Sequence, residues 1–369
     1  HIEAHSFPTR RSSDLARLTT SLLIRHWRMA VSLNFVGPVR EMLGKSVKRT
    51  KKIRRSPLVC LASVSGPRMV MPDTALPPLA QASQLIVAVV GPTASGKSDL
   101  ALDLAQSLPA DMGAHAGELV SADALQLYRG MDIGTAKTPL EERRGIPHHQ
   151  IDVLEISDEA SVASYQKYAR ADIAQIHARS NLAVIAGGSG LYQRALLDQI
   201  DFPGTDPQLR KRLEEESCHP GGVATLFHRL EELDPVSAQR IDAHNARRII
   251  RALEVIELTG KPYSSSMPQY VYAAPTVMLA LRWPMDELDQ RIAQRTRLMF
   301  DQGLVEETRE LDRLGLRHTK TAAKATGYAQ ALAVIDGEMT IPEAIDSVAL
   351  ATRQLARRQV KWLRRDPRI

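Results

Sequence analysis

The sequence predicts an α/β protein in which an open parallel sheet is interrupted by a helical segment. Short apolar runs typical of buried strands alternate with helical patterns between residues 84 and 199. A glycine-rich motif joins the first run to its helix. From about residue 200 the pattern is charged and helix-periodic, and a strand-like run then returns. The apolar runs are residues 85–90, 118–121, 182–186 and 277–281.

The first run leads into Gly91-Pro92-Thr93-Ala94-Ser95-Gly96-Lys97-Ser98, which fits the P-loop pattern G-x-x-x-x-G-K-[ST] in full. Backbone N–H groups of such a loop, and of the helix that follows it, point at an anion. Lys97 adds a full positive charge, and the Ser98 hydroxyl can reach Mg²⁺. A glycine-rich turn arising by chance is the alternative, and the flanking strand and helix argue against it. We therefore expect a P-loop NTPase-like core that binds a di- or triphosphate.

The chain of 369 residues is long enough for two domains, or for one domain with an insertion. We expect a P-loop α/β core at 84–199 and 275–369, with a helical C-terminal part, and a helical insertion domain at 200–274. The two cysteines, Cys60 and Cys218, form neither a disulfide framework nor a zinc pattern, which favours a cytoplasmic protein. No apolar run approaches the ~20 residues of a membrane span.

Residues 1–70 differ from the rest of the chain in charge. They hold 14 Lys and Arg against 3 Asp and Glu, whereas the remainder holds 34 against 39, a balance of −5. We expect this leader to be non-native or to come from a mis-called start, with Met69 or Met71 as the true start. An Arg-rich transit peptide and a nucleic-acid-binding arm are the alternatives. Nucleic-acid binding by the body would then depend on local basic patches.

Polar residues follow the second and third apolar runs, where the carboxyl ends of parallel strands line a ligand crevice. Asp123 in this position can be a general base or a metal partner, or it can cap a turn. Lys137 could meet a phosphate, with an ordinary loop as the alternative. The third run ends in Gly187-Gly188-Ser189 and lacks the Walker-B Asp of an ATPase, which disfavours ATP hydrolysis.

Basic and aromatic residues mark two helical segments near the C-terminus. Helical spacing puts Arg291 and Arg295 on one face, where they could grip a diphosphate or an RNA backbone, although most such arginines are solvated surface. Basic residues around Trp362 fit RNA binding, with an amphipathic terminal helix as the alternative. His148 and His149 are adjacent on an extended segment, so their side chains point apart and we interpret them as structural.

Several segments occur in a characteristic order: GPTASGKS, SADALQLYRGMDIGTAK, PHHQID, AGGSGLY, NARRIIRALEV and TRQLARRQVKWLR. From about residue 84 to about 365 the chain resembles the bacterial tRNA dimethylallyltransferases, also called tRNA isopentenyltransferases. The resemblance implies transfer of a dimethylallyl group from dimethylallyl diphosphate to N6 of the adenosine just 3′ of the anticodon. The P-loop then holds the diphosphate of the prenyl donor, Mg²⁺ is the cofactor and tRNA the partner. A monomer that does not bind membranes is expected.

The resemblance also assigns roles to single residues. Asp123 is the general base that takes a proton from N6, and Ser189 matches a hydroxyl residue of the reaction channel. Lys97, Arg295 and Arg291 face the departing diphosphate, and Ser98 binds the Mg²⁺. The helical insertion is expected to close over the RNA. Contacts to the anticodon stem-loop map onto Asp123, Ala124, Leu125, Gln126, Arg247, Arg248, Arg251, Lys324, Gly327, Tyr328, Arg357, Arg358, Gln359, Trp362 and Arg364.

The chain departs from the family pattern at a few positions. Ala124 stands where a second Ser is usual, Ser98 and Ser189 replace the commoner Thr, and Arg247 replaces Gln. The link from the P-loop to Asp123 is longer than typical, which bears on the placement of that carboxylate. The residues alone leave two other functions open: a P-loop small-molecule kinase, and a P-loop nucleic-acid-binding protein without catalysis.

Overall fold

The computed structural model describes residues 58–61, 84–200, 202–266 and 270–369. Their contacts divide the chain into two compact units: Asp198–Val271 is one, and the described parts of His1–Leu197 with Tyr272–Ile369 are the other. The helical unit begins and ends slightly earlier than the insertion predicted at 200–274. The predicted leader, residues 1–70, lies outside the described residues except for one strand at Leu58–Leu61.

Six strands of the described residues form one sheet, in the order β1-β6-β2-β5-β3-β4. The central neighbours β6, β2, β5, β3 and β4 all pair in parallel, and β1 pairs antiparallel with β6 at one edge. This arrangement confirms the predicted α/β class. The strands are β1 (Leu58–Leu61), β2 (Ile86–Val90), β3 (Gly117–Ser121), β4 (His148–His149), β5 (Leu182–Gly187) and β6 (Thr276–Arg282).

The inner strands are almost completely buried. Every position of β2 and β3 is buried, and β5 and β6 each have a single position that is not. Crossover helices cover both faces of a parallel sheet, so its strands read as continuous apolar runs. The four strands predicted from such runs therefore match the observed bounds to within one residue at each end. The two-residue strand β4 carries no such run and was not predicted.

Eleven helices occur in the described residues, and α4 to α7 belong to the helical unit. None of them is both long and apolar enough to cross a membrane. Short 3₁₀ turns lie at Leu140–Arg143, Tyr263–Ser266, Leu316–His318 and Ala322–Lys324. The helices are α1 (Lys97–Asp111), α2 (Val162–Ala178), α3 (Gly190–Leu197), α4 (Pro207–Cys218), α5 (Gly222–Leu233), α6 (Pro235–Ala238), α7 (Ala246–Thr259), α8 (Met285–Asp301), α9 (Leu304–Arg313), α10 (Tyr328–Ile335) and α11 (Ile341–Leu363).

Helix α1 packs directly on the sheet and so fixes the direction of the loop before it. Its buried Leu104 and Leu108 belong to one core cluster with Val87 of β2. Gly117 opens β3 directly against the helix, because a Cβ at that position would lie 2.2 Å from the carbonyl oxygen of Ala105. A glycine is therefore required where this strand passes the helix.

A second core cluster joins the segment after β3 to the C-terminal helices. Tyr128 and Met131 are fully buried. They belong to one cluster with Leu304 of α9, Leu316 of the following 3₁₀ turn and Tyr328 of α10. The chain between residues 125 and 138 has little regular structure of its own. Its position is consequently set by packing against elements about 180 residues later in the chain.

The helical unit has its own small core, built from Leu213, Leu226, Leu230 and Leu253. Residues 209–242 form three helices, α4 to α6. The helix start that the Asp234-Pro235 sequence indicates is the beginning of α6. The last break comes at Asp234, whose side chain accepts a hydrogen bond from the Ser237 amide and caps α6 ahead of Pro235.

Glu118 on β3 is a buried carboxylate surrounded by hydrogen-bond donors. Arg179 donates to it at 2.9 Å and Asn181 at 2.7 Å, and His149 Nε2 lies 2.6 Å away. Burial alone would raise the pKa of Glu118, but these hydrogen bonds outweigh it and hold the pKa at about 2. The network ties β3 to β4 and to the turn that precedes β5.

We expect Glu118→Gln to lower the free energy of unfolding at pH 7 by about 3 kcal/mol, at about 1.4 kcal/mol per unit of pKa depression. Because the pKa of Glu118 is lowered in the folded protein, its carboxylate adds fully to the free energy of unfolding above ~4.3, the pKa of a glutamate in the unfolded chain. This contribution is lost as the pH falls toward 2. Urea unfolding of both proteins between pH 2.5 and 7 measures the difference. The exposed Glu338→Gln serves as the control, and a difference that does not shrink in acid would contradict the assignment.

Candidate functional site

Loops at the carboxyl ends of the strands enclose two adjoining cavities in the sheet-containing unit. The large cleft, of about 410 Å³, lies between the P-loop, residues 136–139 and helix α8. The small cavity, of about 110 Å³, lies between the ends of β3 and β5 and includes Asp123. One wall is common to both. It is formed by Lys97, Ser98, Ala136, Thr138 and Arg295.

The P-loop has the backbone of an anion cradle. Ala94 and Gly96 adopt left-handed conformations, with φ of 60° and 84°. Glycine tolerates this, whereas the alanine costs roughly 1–2 kcal/mol. The Ala94 side chain is buried with Leu288 and Ile292, and this packing offsets the cost. When left-handed and right-handed backbone conformations alternate along a loop, successive N–H groups turn to one side and form a concave nest for an anion.

Lys97 opens helix α1 and lies on the wall that the two cavities share. Its Nζ donates to the carbonyl oxygen of Pro92 at 2.7 Å, which folds the side chain back over the loop. Burial, aided by the positive charge of Arg295, lowers the pKa of Lys97 to about 8, although Asp123 acts in the opposite direction. An incoming anion would restore the favourable environment of this ammonium.

Arg291 and Arg295 of α8 both line the large cleft, as their helical spacing predicted. Arg295 also reaches the small cavity. Burial lowers the pKa of Arg295, while Asp123 and Asp99 raise it. Arg291 donates through Nε to the carbonyl oxygen of Ala94 at 2.8 Å. Two guanidinium groups and one ammonium therefore converge on the P-loop, an arrangement suited to a diphosphate.

Asp123 follows β3 and lines the small cavity. Its Oδ1 accepts a hydrogen bond from the Leu125 amide at 3.0 Å, which is the turn role considered from the sequence. The turn holds the carboxylate at the cavity, so the turn role does not remove this residue from the site. Asp123 is close enough to Lys97 and Arg295 to affect the pKa of both. The longer link before it has not moved this residue away from the P-loop.

Residues 131–138 form a loop that lines both cavities through Ala136 and Thr138. The Glu307 carboxylate of α9 accepts hydrogen bonds from the Ile133 amide at 2.8 Å and from the Tyr328 hydroxyl at 2.6 Å. Gly134 is needed beside that ring, because a Cβ there would lie 2.4 Å from Tyr328. The predicted tRNA contact Tyr328 is therefore a buried part of the loop support.

Lys137 lines the large cleft, but its ammonium is bonded within the loop. Its side chain is buried, and its Nζ donates to Tyr128 O, to Asp132 at 2.8 Å and to Asp152 at 2.5 Å. The charge is thus matched by two carboxylates within the loop. Lys137 therefore stabilises the conformation of the loop.

The turn after β5 lies against both the P-loop and the segment after β3. Gly187 approaches Ala122 so closely that a Cβ would lie 2.4 Å from the Ala122 carbonyl oxygen. Gly187 and Gly188 line the small cavity. Within the part of the chain that the structure describes, Ser189 lines neither of these two cavities. Its carbonyl oxygen accepts a hydrogen bond from the Gln193 amide in the first turn of α3.

Two glutamines predicted to contact tRNA are bonded within the protein. Gln359 of α11 accepts from the Thr93 amide at 2.8 Å and donates to Gly188 O at 2.9 Å. Gln126 accepts from Ser121 Oγ at 2.8 Å and donates to Thr135 O at 3.2 Å. Both line the small cavity. Their amides thus join the loops around the site to one another, a role that the motif did not reveal.

The other predicted tRNA contacts fall into three groups. Exposed residues comprise Arg247, Arg248, Lys324, Arg357, Arg358, Trp362 and Arg364. One of the remaining residues, Arg251, serves internal contacts: it donates to Pro203 O at 2.6 Å and to Glu254 at 2.7 Å, within the helical unit. Gly327 is buried, and Ala124 and Leu125 are half-buried next to Asp123. Arg357, although exposed, pairs with Asp289 at 2.8 Å.

The two histidines have separate partners, which agrees with a structural role. His148 Nδ1 lies 2.8 Å from Ile146 O, and His149 Nε2 faces Glu118. Burial lowers the pKa of His148, which lines the small cavity. No group of three or more His, Cys, Asp or Glu side chains that could hold a metal occurs in the described parts of the chain.

Sequence reasoning missed the residues that support the site from the C-terminal part. Glu307, Trp283 and the amide of Gln359 each bond a loop about 170 to 270 residues earlier. The local sequence around Glu307, Gly303-Leu304-Val305-Glu306-Glu307, does not indicate this role. Trp283 lies directly after β6, and a polar aromatic residue at the carboxyl end of a strand was the one available signal.

Comparison with known proteins gives a consistent result. The family model described as IPP transferase matches residues 126–366. A tRNA dimethylallyltransferase from Paenarthrobacter aurescens is 55% identical over 284 residues, which cover 77% of this chain and 89% of that protein. One from Thermobifida fusca is 52% identical over 77% of this chain and 88% of its own length.

Solved structures show the same similarity. The full-length tRNA isopentenylpyrophosphate transferase from Bacillus halodurans has 38% sequence identity and a TM-score of 0.54, covering 76% of this chain and 87% of that one. A eukaryotic dimethylallyltransferase that acts on tRNA has 26% identity and a TM-score of 0.65, covering 76% of this chain and 69% of its own.

We expect the affinity for inorganic pyrophosphate to depend on the protonation of Lys97. With a pKa of about 8, Lys97 is charged at pH 7 and loses its proton as the pH rises through 8 to 10. Wild type should bind about 10–100-fold more tightly than Lys97→Gln at pH 7, since a hydrogen bond to a charged group contributes about 1.5–3 kcal/mol. Calorimetric titrations of both proteins from pH 7 to 10 measure this ratio.

Titration of pyrophosphate itself affects both proteins equally and cancels in the ratio. The ratio should fall toward one at the alkaline end, because only the wild type loses a charge there. A ratio that stays constant up to pH 10 would show that Lys97 keeps an ordinary lysine pKa.

Proposed function

The chain belongs to the IPP transferase family, as its motifs predicted, and on this premise we propose that it is a tRNA dimethylallyltransferase. The proposed reaction moves a dimethylallyl group from dimethylallyl diphosphate to N6 of the adenosine just 3′ of the anticodon. The observation that carries the proposal is the wall shared by the two cavities, where Lys97, Ser98 and Arg295 lie near Asp123. Such a wall can hold a diphosphate on one side and a nucleophile on the other.

The reaction requires one bond to form and one to break. The N6 nitrogen attacks C1 of the prenyl donor, the bond from C1 to the diphosphate oxygen breaks, and the electron pair leaves with the diphosphate. The proton of N6 passes to Asp123. The site must therefore stabilise negative charge at the P-loop and accept a proton at the small cavity.

The P-loop side is suited to the leaving group. N–H groups of the loop, Lys97, Arg291 and Arg295 present positive charge toward the large cleft. Negative charge on the diphosphate increases as the bond to C1 breaks, so donors already in place favour the transition state over the ground state. In the free protein these cations repel one another, and the negative charge of the diphosphate would relieve that repulsion.

The residues also fit Mg²⁺. The Ser98 hydroxyl lies on the shared wall, and Mg²⁺ is usually bound by one or two protein oxygens together with phosphate oxygens and water. We propose that Ser98 holds it, with Asp123 or Asp99 reached through water. When bound, the ion would neutralise charge on the diphosphate.

Asp123 is the proposed base because of where its carboxylate is fixed. The hydrogen bond from the Leu125 amide orients Oδ1, and Oδ2 can then take the proton. Lys97 and Arg295 stand on the wall beside this carboxylate, where the diphosphate of the donor would lie.

The target base must leave the stack of the anticodon loop to reach a cavity of this kind, as other base-modifying enzymes require. Exposed Arg358 and Trp362 on α11, with Arg364 directly after it, offer two charges and an aromatic face to the RNA. Lys324 provides a further exposed charge. On the helical unit, Arg247 and Arg248 are the exposed candidates for contact with the RNA backbone.

The test of the proposed function combines the full chain, Mg²⁺, an unmodified tRNA with adenosine after its anticodon, and labelled dimethylallyl diphosphate. We expect the label to enter the tRNA without ATP. The two strands that flank the P-loop strand end without a Walker-B carboxylate, and β5 ends in Gly187-Gly188. Transfer of phosphate from ATP, with no prenyl transfer, would identify a kinase instead.

We expect Asp123→Asn to slow prenyl transfer by about 10²–10⁴-fold, the usual range for loss of a general base. The amide keeps an oxygen for the Leu125 N–H, so the turn and the affinity for tRNA should be preserved. Single-turnover rates and tRNA binding are measured on the same protein. The exposed Asp346→Asn is the matched control. A rate within threefold of wild type for Asp123→Asn would exclude it as the base.

A further inference from the structure

Trp283 lies at the junction between β6 and α8, outside the motifs that the sequence analysis described. β6 ends at Arg282 and α8 begins at Met285, so the side chain lies at the carboxyl end of a central strand. The indole is half-buried beside a small apolar cluster that contains Ala94, Leu288 and Ile292. It thus packs against the residue of the P-loop whose backbone is least favourable.

The indole makes two polar contacts with the phosphate site. Its Nε1 donates to the carbonyl oxygen of Ser95 at 3.0 Å. Its ring lies under the Arg291 guanidinium, whose Cζ is 4.6 Å from the ring centroid, a distance typical of a cation–π interaction. Arg291 in turn donates to the carbonyl oxygen of Ala94. Two consecutive carbonyl groups of the loop are therefore bonded from the same side.

The planarity of the peptide bond gives these contacts a consequence for the ligand. In a trans peptide the carbonyl and the N–H of the next residue point in opposite directions. Fixing Ala94 O and Ser95 O on one side fixes the N–H groups of Ser95 and Gly96 on the other. Within the part of the chain that the structure describes, these two amides donate to no protein acceptor.

We infer that Trp283 is a positioning residue for the diphosphate, acting through the P-loop backbone and through Arg291. The indole N–H donates to Ser95 O and thereby orients the Gly96 N–H. The indole ring also holds the Arg291 guanidinium, which donates to Ala94 O and thereby orients the Ser95 N–H. The inference rests on the proposed function, because it takes the occupant of the large cleft to be a diphosphate. It assigns no contact between Trp283 and the tRNA.

Two substitutions separate the contributions of the indole. Trp283→Phe keeps an aromatic face for Arg291 and removes the N–H donor together with part of the ring surface. Trp283→Leu removes both the aromatic face and the N–H donor. The exposed Tyr168→Phe, on α2, is the matched control, since it also removes one polar hydrogen from an aromatic side chain. Thermal melting of each variant shows whether the fold is intact.

The experiment measures binding of inorganic pyrophosphate with Mg²⁺ by calorimetry, binding of unmodified tRNA, and the KM for dimethylallyl diphosphate. We expect Trp283→Phe to weaken pyrophosphate about 5–10-fold, the size of one net hydrogen bond. Trp283→Leu should weaken it a further 3–5-fold as the cation–π contact is lost. The KM for the donor should rise in parallel, while tRNA affinity and the melting temperature stay close to those of the control.

Pyrophosphate affinity that is unchanged in Trp283→Phe and Trp283→Leu would overturn the inference while leaving the proposed function intact. Equal losses of pyrophosphate and tRNA affinity would also overturn it, since they indicate a general structural role. If the wild-type protein binds no pyrophosphate, the diphosphate assignment of the cleft is wrong, and the inference falls with it.

Discussion

The arrangement of the site depends on the proximity of like charges. Lys97 and Arg295 share one wall, and burial lowers the pKa of both. The charge of Arg295 adds to this effect at Lys97, and the charge of Arg291 adds to it at Arg295. Asp123 partly compensates within the protein, and an anionic ligand would compensate fully. The free protein therefore carries an electrostatic cost at this wall. In the proposed function, release of that cost when the diphosphate binds adds to affinity and to stabilisation of the leaving group.

Maintaining such a site requires supports that lie outside the P-loop motif. Gln359, Trp283 and Glu307 all come from the C-terminal part and bond backbone groups of loops that precede them by about 170 to 270 residues. Each uses a side chain to satisfy main-chain donors or acceptors, which fixes the direction of a peptide plane as well as its position. The P-loop by itself would keep only the contacts within the motif, and Ala94 would lose the packing that offsets its left-handed conformation.

Much of the fold could be predicted because the strands are buried on both faces and read as apolar runs, and the Gly91–Ser98 loop has a local signature. The two-residue strand β4 could not, since His148 and His149 pair with β3 through backbone bonds that no side-chain pattern encodes. The partners of Lys137 were equally invisible, because two carboxylates reach it through the folded loop. A motif indicates which residues matter together, and tertiary contacts decide whether each faces the ligand or supports a neighbour.

The same distinction explains how a chain whose residues 71–369 carry a net charge of −5 can act on tRNA, a polyanion. Several motif arginines are already matched: Arg251 pairs with Glu254, and Arg357 with Asp289. These pairs fix side chains and contribute little net field to a polyanion. Attraction to RNA then rests on exposed residues such as Arg358, which lies on the same terminal helix as Gln359, and Arg364, which directly follows that helix. That helix therefore carries both the charge offered to the RNA and the amide that bonds the phosphate loop, so the two substrates of the proposed reaction meet at one rigid element.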